Sequence, residues 1–411
     1  MKRLLFSLVF PALLLLPVLS LSAFDWGLML NQELSLEATE GEDIIDGLSY
    51  TGTLSPWVSV PVGAAGNFYL SAGATMDYAR DISRNKSAVF IPELYRTDLR
   101  FRFGESMVLR VGRMSYADPL GFIAGGLFDG AHFSADALGG TVGAGVWYTG
   151  LLYKKTAKIT MTGDDVRSYS KKLDYSNFAE TYFASRRLLF ALDWSNSSVS
   201  EWLRLQAALT GQVDLSGNEY LLHSQYLALK AAIPAGRFVF DLGGCFELSE
   251  VSDHTGISFA GELGAAWSPP ARIENQLGLL ARLSSGTVND SDTMTAFVPI
   301  TTEYHGDVLQ AKLSGLSMIR LDYTARLNQQ FLFNVASSYF ILSDLVTYQG
   351  RPAGKNGNAL GNEFFGRVIW APVSDVRFNL GGGVFLPSMG NADPSGKVMW
   401  RIDLGVALVI F

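Results

Sequence analysis

The segment at residues 95–103, YRTDLRFRF, carries a charged side chain at every second position. Its charged residues are Arg96, Asp98, Arg100 and Arg102. Arginine binds carboxylates through paired hydrogen bonds, and rings of charged side chains select ions of opposite sign. Residues two apart share one face of a β-strand, and four charges in a dry core would lose their water. The pattern therefore predicts a strand with one face in water.

Charged residues occupy the polar face of many further alternating segments. We predict that the following residues line a water-filled interior: Arg96, Asp98, Arg100, Arg102, Arg110, Arg113, Asp129, Arg187, Arg204, Arg282, Arg320, Asp322, Arg326, Arg367, Arg377 and Arg401. Acidic residues nearly match basic ones on these faces. That balance favours an alternative in which many of these side chains form ion pairs along the wall and stiffen it.

The rest of the sequence offers little for catalysis or metal binding. The four histidines are scattered without metal-ligand spacing, and Cys245 is the only cysteine. No Gly-x-Ser-x-Gly motif supports a hydrolase. The acidic segment 37–46 lacks the regular ligand spacing of a calcium loop, so we expect a solvated surface loop. We predict that the protein is not an enzyme and holds no cofactor or metal ion.

Apolar and polar residues alternate along most of the chain after residue 23. In one segment Trp26, Leu28 and Leu30 share a face opposite Asn31 and Glu33. Only 17% of the residues are charged, and no later apolar run approaches the ~20 residues that a membrane helix needs. Long and short connections largely alternate. These features predict an all-β protein, a transmembrane antiparallel β-barrel of about 18 strands, with 16 as the alternative.

The first 23 residues have the pattern of a secretory signal peptide. Lys2 and Arg3 precede an apolar stretch, and small residues lead to Ala23. We predict cleavage there, which leaves residues 24–411 as one barrel. Removing Lys2 and Arg3 leaves 30 basic residues against 39 acidic ones, a poor balance for binding nucleic acid. The predicted location is the outer membrane of a diderm bacterium, in contact with its lipids.

The chain ends in an apolar alternating segment, residues 400–411, WRIDLGVALVIF. A barrel has no free edge, so we expect this last strand to pair with the first. The final Phe411 is similar to the assembly signal of outer-membrane barrels, which implies the barrel-insertion machinery as a partner. By alternation Phe411 shares a face with Arg401, unless a bulge shifts the register.

Three stretches resemble the alginate-export family of outer-membrane porins. The first, residues 109–135, has Gly112 and Arg113 at a strand end, then Asp129 and Gly130 at the next strand start. Residues 279–307 and 361–387 carry looser matches, a Phe-x-Pro with a later His-Gly-Asp and a Gly-rich strand. The resemblance covers most of the chain after residue 23. It implies 18 strands and an Arg-rich lumen suited to a polyuronate.

The sequence predicts a passive outer-membrane porin for a hydrophilic solute, either a small acidic or neutral one or an anionic saccharide such as a polyuronate. The long connection at 285–311 is expected to form a constriction or lid. The main alternative is a non-transporting surface barrel, an adhesin or structural protein. A soluble secreted β-protein is a weaker rival. Solute identity, the direction of transport and the oligomeric state are not fixed by the sequence.

Overall fold

A computed structural model shows a single closed antiparallel barrel of 18 strands. The structure describes residues 24–41, 47–80, 86–218, 220–251, 254–287, 295–343, 347–348, 351–352 and 357–410. The predicted signal peptide and Phe411 lie outside these residues. Each strand pairs with its neighbours in the chain, and the first strand also pairs with the last, from Leu28 opposite Ile410 to Thr39 opposite Met399. The predicted fold class and strand number are confirmed, and the alternative of 16 strands is wrong.

The strands are numbered in chain order. They are β1 (Asp25–Thr39), β2 (Gly47–Val62), β3 (Gly66–Arg80), β4 (Lys86–Phe103), β5 (Met107–Ala117), β6 (Gly125–Ala137), β7 (Gly140–Tyr148), β8 (Arg187–Ser200), β9 (Leu203–Asp214), β10 (Leu222–Ala235), β11 (Phe238–Val251), β12 (His254–Trp267), β13 (Glu274–Ser284), β14 (Leu316–Arg326), β15 (Phe331–Leu342), β16 (Ala359–Val373), β17 (Val376–Leu386) and β18 (Met399–Ile410). Two-residue ladders join Tyr304–His305 to Ala311–Lys312 and Thr347–Tyr348 to Arg351–Pro352.

The two faces of the wall differ in the way that the alternation predicts. On β18, Trp400, Ile402 and Leu404 are exposed on the outer face, whereas Arg401 and Asp403 face the interior and bond to each other. Stacked rings, including Phe331 with Trp370, lie on the outer face near the short turns. Aromatic girdles at this height are typical of barrels in a bilayer. The outer face therefore suits hydrocarbon, and the inner face suits water.

Three connections at the end opposite the chain termini fold inward. They are L3 (residues 118–124), L4 (149–186) and L7 (285–315), and L7 is described apart from residues 288–294. L4 contains α1 (Lys154–Ala157), α2 (Gly163–Ser170) and α3 (Phe178–Tyr182). Helix α2 begins with a capping box between Thr162 and Asp165. The apolar side chains of the three loops form the buried core against the inner wall, so this barrel is partly filled.

Candidate pore and its constriction

The register places most of the predicted charged residues on the inward face. They are Arg96, Asp98, Arg100, Arg102, Arg110, Arg187, Arg204, Arg282, Arg320, Asp322, Arg326, Arg367, Arg377 and Arg401. Facing inward is not the same as lining free space. Some of these side chains remain accessible, and others lie beneath the inward loops.

Many of the inward charges form ion pairs. Asp98 Oδ2 lies 2.6 Å from both Arg96 and Arg110. The Glu262 carboxylate forms ion pairs with Arg282, at an N–O distance of 2.7 Å, and with Lys230, at 3.0 Å. Each of these carboxylates is nearly buried while its partners are more exposed, so the acid is screened and the bases retain contact with water. The lumen therefore contains paired charges that also present Arg and Lys nitrogens to a solute.

Further pairs lie near the two ends of the barrel. Arg401 bonds to Asp403 at 2.8 Å and to Glu37 at 3.2 Å, which joins β18 to β1. Arg326 pairs with Glu274 at the end that carries the short turns. Within the described ranges, four predicted arginines have no carboxylate within 4.0 Å: Arg100, Arg102, Arg204 and Arg377. Arg204 also lines a cavity of about 440 Å³ at that end.

Arg113 and Asp129 lie on the opposite face from the other predicted residues. Their neighbours Arg110 and His132 point inward, and the odd-numbered positions of β5 and β6 point outward. Arg113 is nonetheless buried and bonds to Asp129 through two nitrogens, at 2.9 and 2.7 Å. The carbonyl of Leu151 in L4 accepts a further bond from Arg113 at 3.0 Å. This pair lies within the wall, beneath L4.

Arg187 holds L4 against the wall. Its side chain has no exposed surface, and its guanidinium lies 2.6 Å from Asp165 of α2 and 3.2 Å from Asp214 of β9. It also donates to the Gln212 side chain at 2.8 Å. A buried arginine with two carboxylates fixes the position of α2, because leaving any of these charges unpaired would be costly.

L3 is folded around a single carboxylate. Asp118 accepts hydrogen bonds from the backbone N–H groups of Leu120, Gly121, Ile123 and Ala124, at 2.8 to 3.0 Å. Burial raises the pKa of Asp118, and the four N–H donors oppose that shift. The side chain thus replaces the backbone acceptors that a tight inward turn lacks.

Glu363 of β16 holds the second half of L7. This carboxylate is buried and accepts bonds from the N–H groups of Asp307, Val308 and Leu309, at 2.7 to 2.9 Å. The Asp307 side chain in turn lies 3.2 Å from Arg320 and from a second arginine, Arg367. Two predicted arginines therefore bind the loop.

Glu247 of β11 holds the first half of L7 in the same way. It accepts a bond from the Val298 N–H at 2.8 Å, and the Ser258 hydroxyl donates to it at 2.5 Å. The Tyr226 hydroxyl donates to the Val298 carbonyl at 2.6 Å. Buried carboxylates of two wall strands thus hold the described part of L7 against the inner face of the barrel, and the constriction expected at 285–311 stays a prediction.

The three loops also bond to one another. The Ile300 N–H of L7 donates to the Ile123 carbonyl of L3 at 2.8 Å. The Thr302 N–H donates to the Lys158 carbonyl of L4 at 2.8 Å. In addition, Lys312 Nζ of L7 donates to a hydroxyl of L4 at 3.1 Å. The inward loops therefore form one connected body against the inner wall.

L4 and L7 bring lysines to this body that the alternating pattern did not identify. Lys155 Nζ lies 3.6 Å above the ring of Tyr169. Burial lowers the pKa of Lys155, and the charge of Asp77 on β3 opposes that shift. Burial also lowers the pKa of Lys312. The sequence marks the L4 lysines only by the basic segment 154–158, in which polar and apolar residues do not alternate with a period of two.

No metal site and no membrane helix is found in the described part of the chain. Its His, Cys, Asp and Glu residues form no group of three that could hold a metal ion. Its helices are all too short or too polar to cross a membrane. The candidate functional features of the described residues are the charged side chains of the lumen and the body formed by the inward loops.

No protein-family model matches the sequence, and no curated relative does. Solved structures of outer-membrane porins do match its fold. Pseudomonas aeruginosa OccK7 (OpdD) has a TM-score of 0.60 at 11% identity over 95% of this chain and 99% of that protein. OprD of the same organism gives 0.55 at 14% identity over 94% of both chains.

Pseudomonas aeruginosa OpdK, solved with vanillate, gives a TM-score of 0.57 at 11% identity over 94% of this chain and 99% of that protein. The resemblance to the alginate-export family is wrong, because the structural neighbours are OprD and Occ porins, a different barrel family. The supposed motif reflects sterics. A Cβ at Gly112 would lie 1.8 Å from the Thr97 carbonyl oxygen, so this strand needs glycine at that position. The chain thus has the fold of Gram-negative outer-membrane porins, which supports the predicted outer-membrane location.

Proposed function

We propose that this chain is a passive outer-membrane channel for small hydrophilic solutes and that it favours anions. The observation that carries the proposal is the placement of Lys155 and Lys312 on the inward loop body. Neither has a carboxylate within 4.0 Å among the described residues, although the charge of Asp77 acts on Lys155 from farther away. Positive side chains at a constriction lower the energy of an anion there.

A small carboxylate is the solute class that this arrangement suits best. Its charge fits the loop lysines and the water-exposed arginines of the lumen, which bind carboxylates with good geometry. The OpdK structure contains vanillate, an aromatic carboxylate. The solved neighbours are porins, so we propose passage along a gradient rather than catalysis.

Planar-bilayer recording of the purified protein in a salt gradient tests this proposal. The expected result is an anion-selective reversal potential that moves toward cation selectivity in Lys155→Glu and in Lys312→Glu. Lys172→Glu, at an exposed position of L4, is the matched control and should move it little. A cation-selective wild type would overturn the anion preference. A protein without conductance would support the non-transporting surface barrel instead.

A further inference from the structure

The wall of the barrel is interrupted between β4 and β5. Their ladder runs from Phe103 opposite Met107 to Thr97 opposite Arg113 and ends there. Above this point β4 continues to Lys86 with pairs to β3 alone, within the part of the chain that the structure describes. An open strand edge in hydrocarbon leaves backbone groups unpaired, which costs several kcal/mol for each group. We call this interruption the β4–β5 seam.

Side chains, instead of a neighbouring strand, close the β4–β5 seam. The carbonyls of Phe90, Pro92 and Leu94 stand at alternate positions and face the gap. They accept hydrogen bonds, in that order, from the Tyr175 hydroxyl, from the Tyr182 hydroxyl at 2.8 Å and from Arg113 at 2.5 Å. Pro92 has no N–H to leave unpaired, as suits an edge strand. Two phenols and one guanidinium thus substitute for a ladder.

The outer side of the seam is apolar. Phe90 and Leu94 point outward and are exposed, and Leu151 and Tyr175 of L4 are exposed beside the same edge. Behind them Ile91 packs with aromatic side chains of L4 in a separate core cluster, which contains Tyr153, Tyr182, Phe178 and Phe183. A hydrocarbon chain entering from the membrane would meet apolar surface throughout this depth.

The inner end of the seam carries a buried carboxylate with one unpaired oxygen. Glu93 is 7% exposed, and one of its two oxygens, Oε1, has no hydrogen-bond partner among the described residues. The Thr156 side chain of α1 is a hydrogen-bond partner of the carboxylate, and the charge of Asp77 on β3 also acts on it. The Tyr182 hydroxyl bonds to the carbonyl of Pro92, the residue before Glu93, and the rings of Tyr153 and Tyr182 pack with Ile91, which shares the inner face of β4 with Glu93. Arg113 acts on Glu93 electrostatically but is bonded to Asp129. A buried carboxylate lined by aromatic rings is a good environment for an organic cation.

We propose that the β4–β5 seam is a lateral binding site and portal for a single-chain amphiphile with a cationic head. The head lies at Glu93 among the tyrosine rings, and the tail extends between Ile91 and L4 into the membrane. Passage requires release of the Tyr175 and Tyr182 hydroxyls from β4. This route is separate from the axial lumen and does not rest on the proposed solute preference.

Photocrosslinking of the unmodified protein tests the binding site. The protein is placed in vesicles with a diazirine-labelled alkyltrimethylammonium, irradiated and mapped by mass spectrometry. Adducts are expected at Ile91, Tyr153 and Tyr182, and excess unlabelled alkyltrimethylammonium should remove them, whereas an alkyl sulfonate should not. Adducts confined to outward side chains such as Phe90, or labelling that the sulfonate removes equally well, would overturn the proposal.

Two variants test recognition of the head and opening of the seam. Glu93→Gln should lower, by roughly fivefold or more, the labelling that excess unlabelled alkyltrimethylammonium removes, because it eliminates the negative charge next to the cationic head. Tyr175→Phe combined with Tyr182→Phe should raise the flux of a fluorescent alkyltrimethylammonium into vesicles by roughly fivefold for each hydrogen bond lost. Tyr220→Phe, an exposed tyrosine of another loop, is the matched control.

The KCl conductance of the same preparations separates the seam from the axial lumen. It should be unchanged in the double tyrosine variant while the amphiphile flux rises. A flux no greater than in protein-free vesicles would exclude the portal. A flux that changes in parallel with the KCl conductance would assign the amphiphile to the axial route.

Discussion

Arg187 shows how much of the inner architecture rests on single buried charges. It has no exposed side-chain surface and joins Asp165 of L4 to Asp214 of the wall. Arg187→Met would leave two buried carboxylates without their partner, which typically costs about 3–5 kcal/mol. We expect a lower free energy of unfolding in urea and faster proteolysis within L4. Arg167→Met, on the helix that carries Asp165 but with an exposed side chain, should change stability by less than about 1 kcal/mol. Equal effects of the two substitutions would contradict the anchoring role.

Lys154 of L4 gives a prediction with a defined pH range. Burial lowers its pKa to about 8, with smaller contributions from Lys155 and Lys171. The folded state thus binds the proton more weakly than the unfolded state does. The lowered pKa of Lys154 destabilises the fold fully below pH 8, and this destabilisation is lost as the pH rises toward the normal pKa of lysine. Unfolding free energies at pH 7.5 and 9.5 should show a larger rise in wild type than in Lys154→Met. Lys172→Met, at an exposed site, should retain the wild-type rise.

At the same scale, alternation predicted which residues face inward but not what they contact. Arg100 and Arg187 have the same signature in the sequence, yet one is exposed and the other is covered by L4. Arg113 and Asp129, which were also predicted to line the interior, lie one position out of phase with Arg110 and His132. Whether an inward charge meets water depends on loops distant in sequence, which have no period to read.

At the scale of elements, L7 depends on Glu363 for its position across the lumen. Three backbone N–H groups converge on this buried carboxylate, and hydrogen bonds to a charged acceptor contribute about 1.5–3 kcal/mol each. Glu363→Gln replaces one acceptor oxygen with a donor that faces those N–H groups. We expect more frequent current fluctuations in single-channel recordings and faster cleavage within L7. Glu274→Gln, at an exposed ion pair, should leave both measurements unchanged. If current fluctuations in the Glu363→Gln channel were no more frequent than in wild type, other contacts would hold the loop.

The sequence predicted the strands well but did not predict the inward loops. The strands follow from the period of two, because each side chain has either lipid or the interior on its side of the wall. The inward course of L3, L4 and L7 does not follow, since it depends on carboxylates such as Glu247 and Glu363 that sit on distant strands. Loop length indicated a constriction at 285–311 but gave neither its anchors nor the lysines of L4.

At the scale of the whole molecule, hydrocarbon lies outside the wall and water lies inside it. Leu209 points outward at mid-height of β9, in a row with Leu192 and Leu227 on the flanking strands, and all three are exposed. Gln206, on the opposite face of the same strand, lines an interior cavity of about 440 Å³. Leu209→Arg should therefore cost about 2–4 kcal/mol of unfolding free energy in lipid vesicles, the usual penalty for a charge on the lipid face near mid-depth.

Gln206→Arg is the matched substitution on the inner face. It should change the unfolding free energy by no more than about 0.5 kcal/mol, because its charge stays in water. It should also move the reversal potential toward greater anion selectivity, which Leu209→Arg cannot do from outside the lumen. The opposite ranking of stabilities would mean that the faces are assigned the wrong way round. Equal tolerance of both substitutions in detergent-free buffer would mean that no bilayer surrounds the barrel, and the channel, the constriction and the lateral seam would then all lose their physical basis.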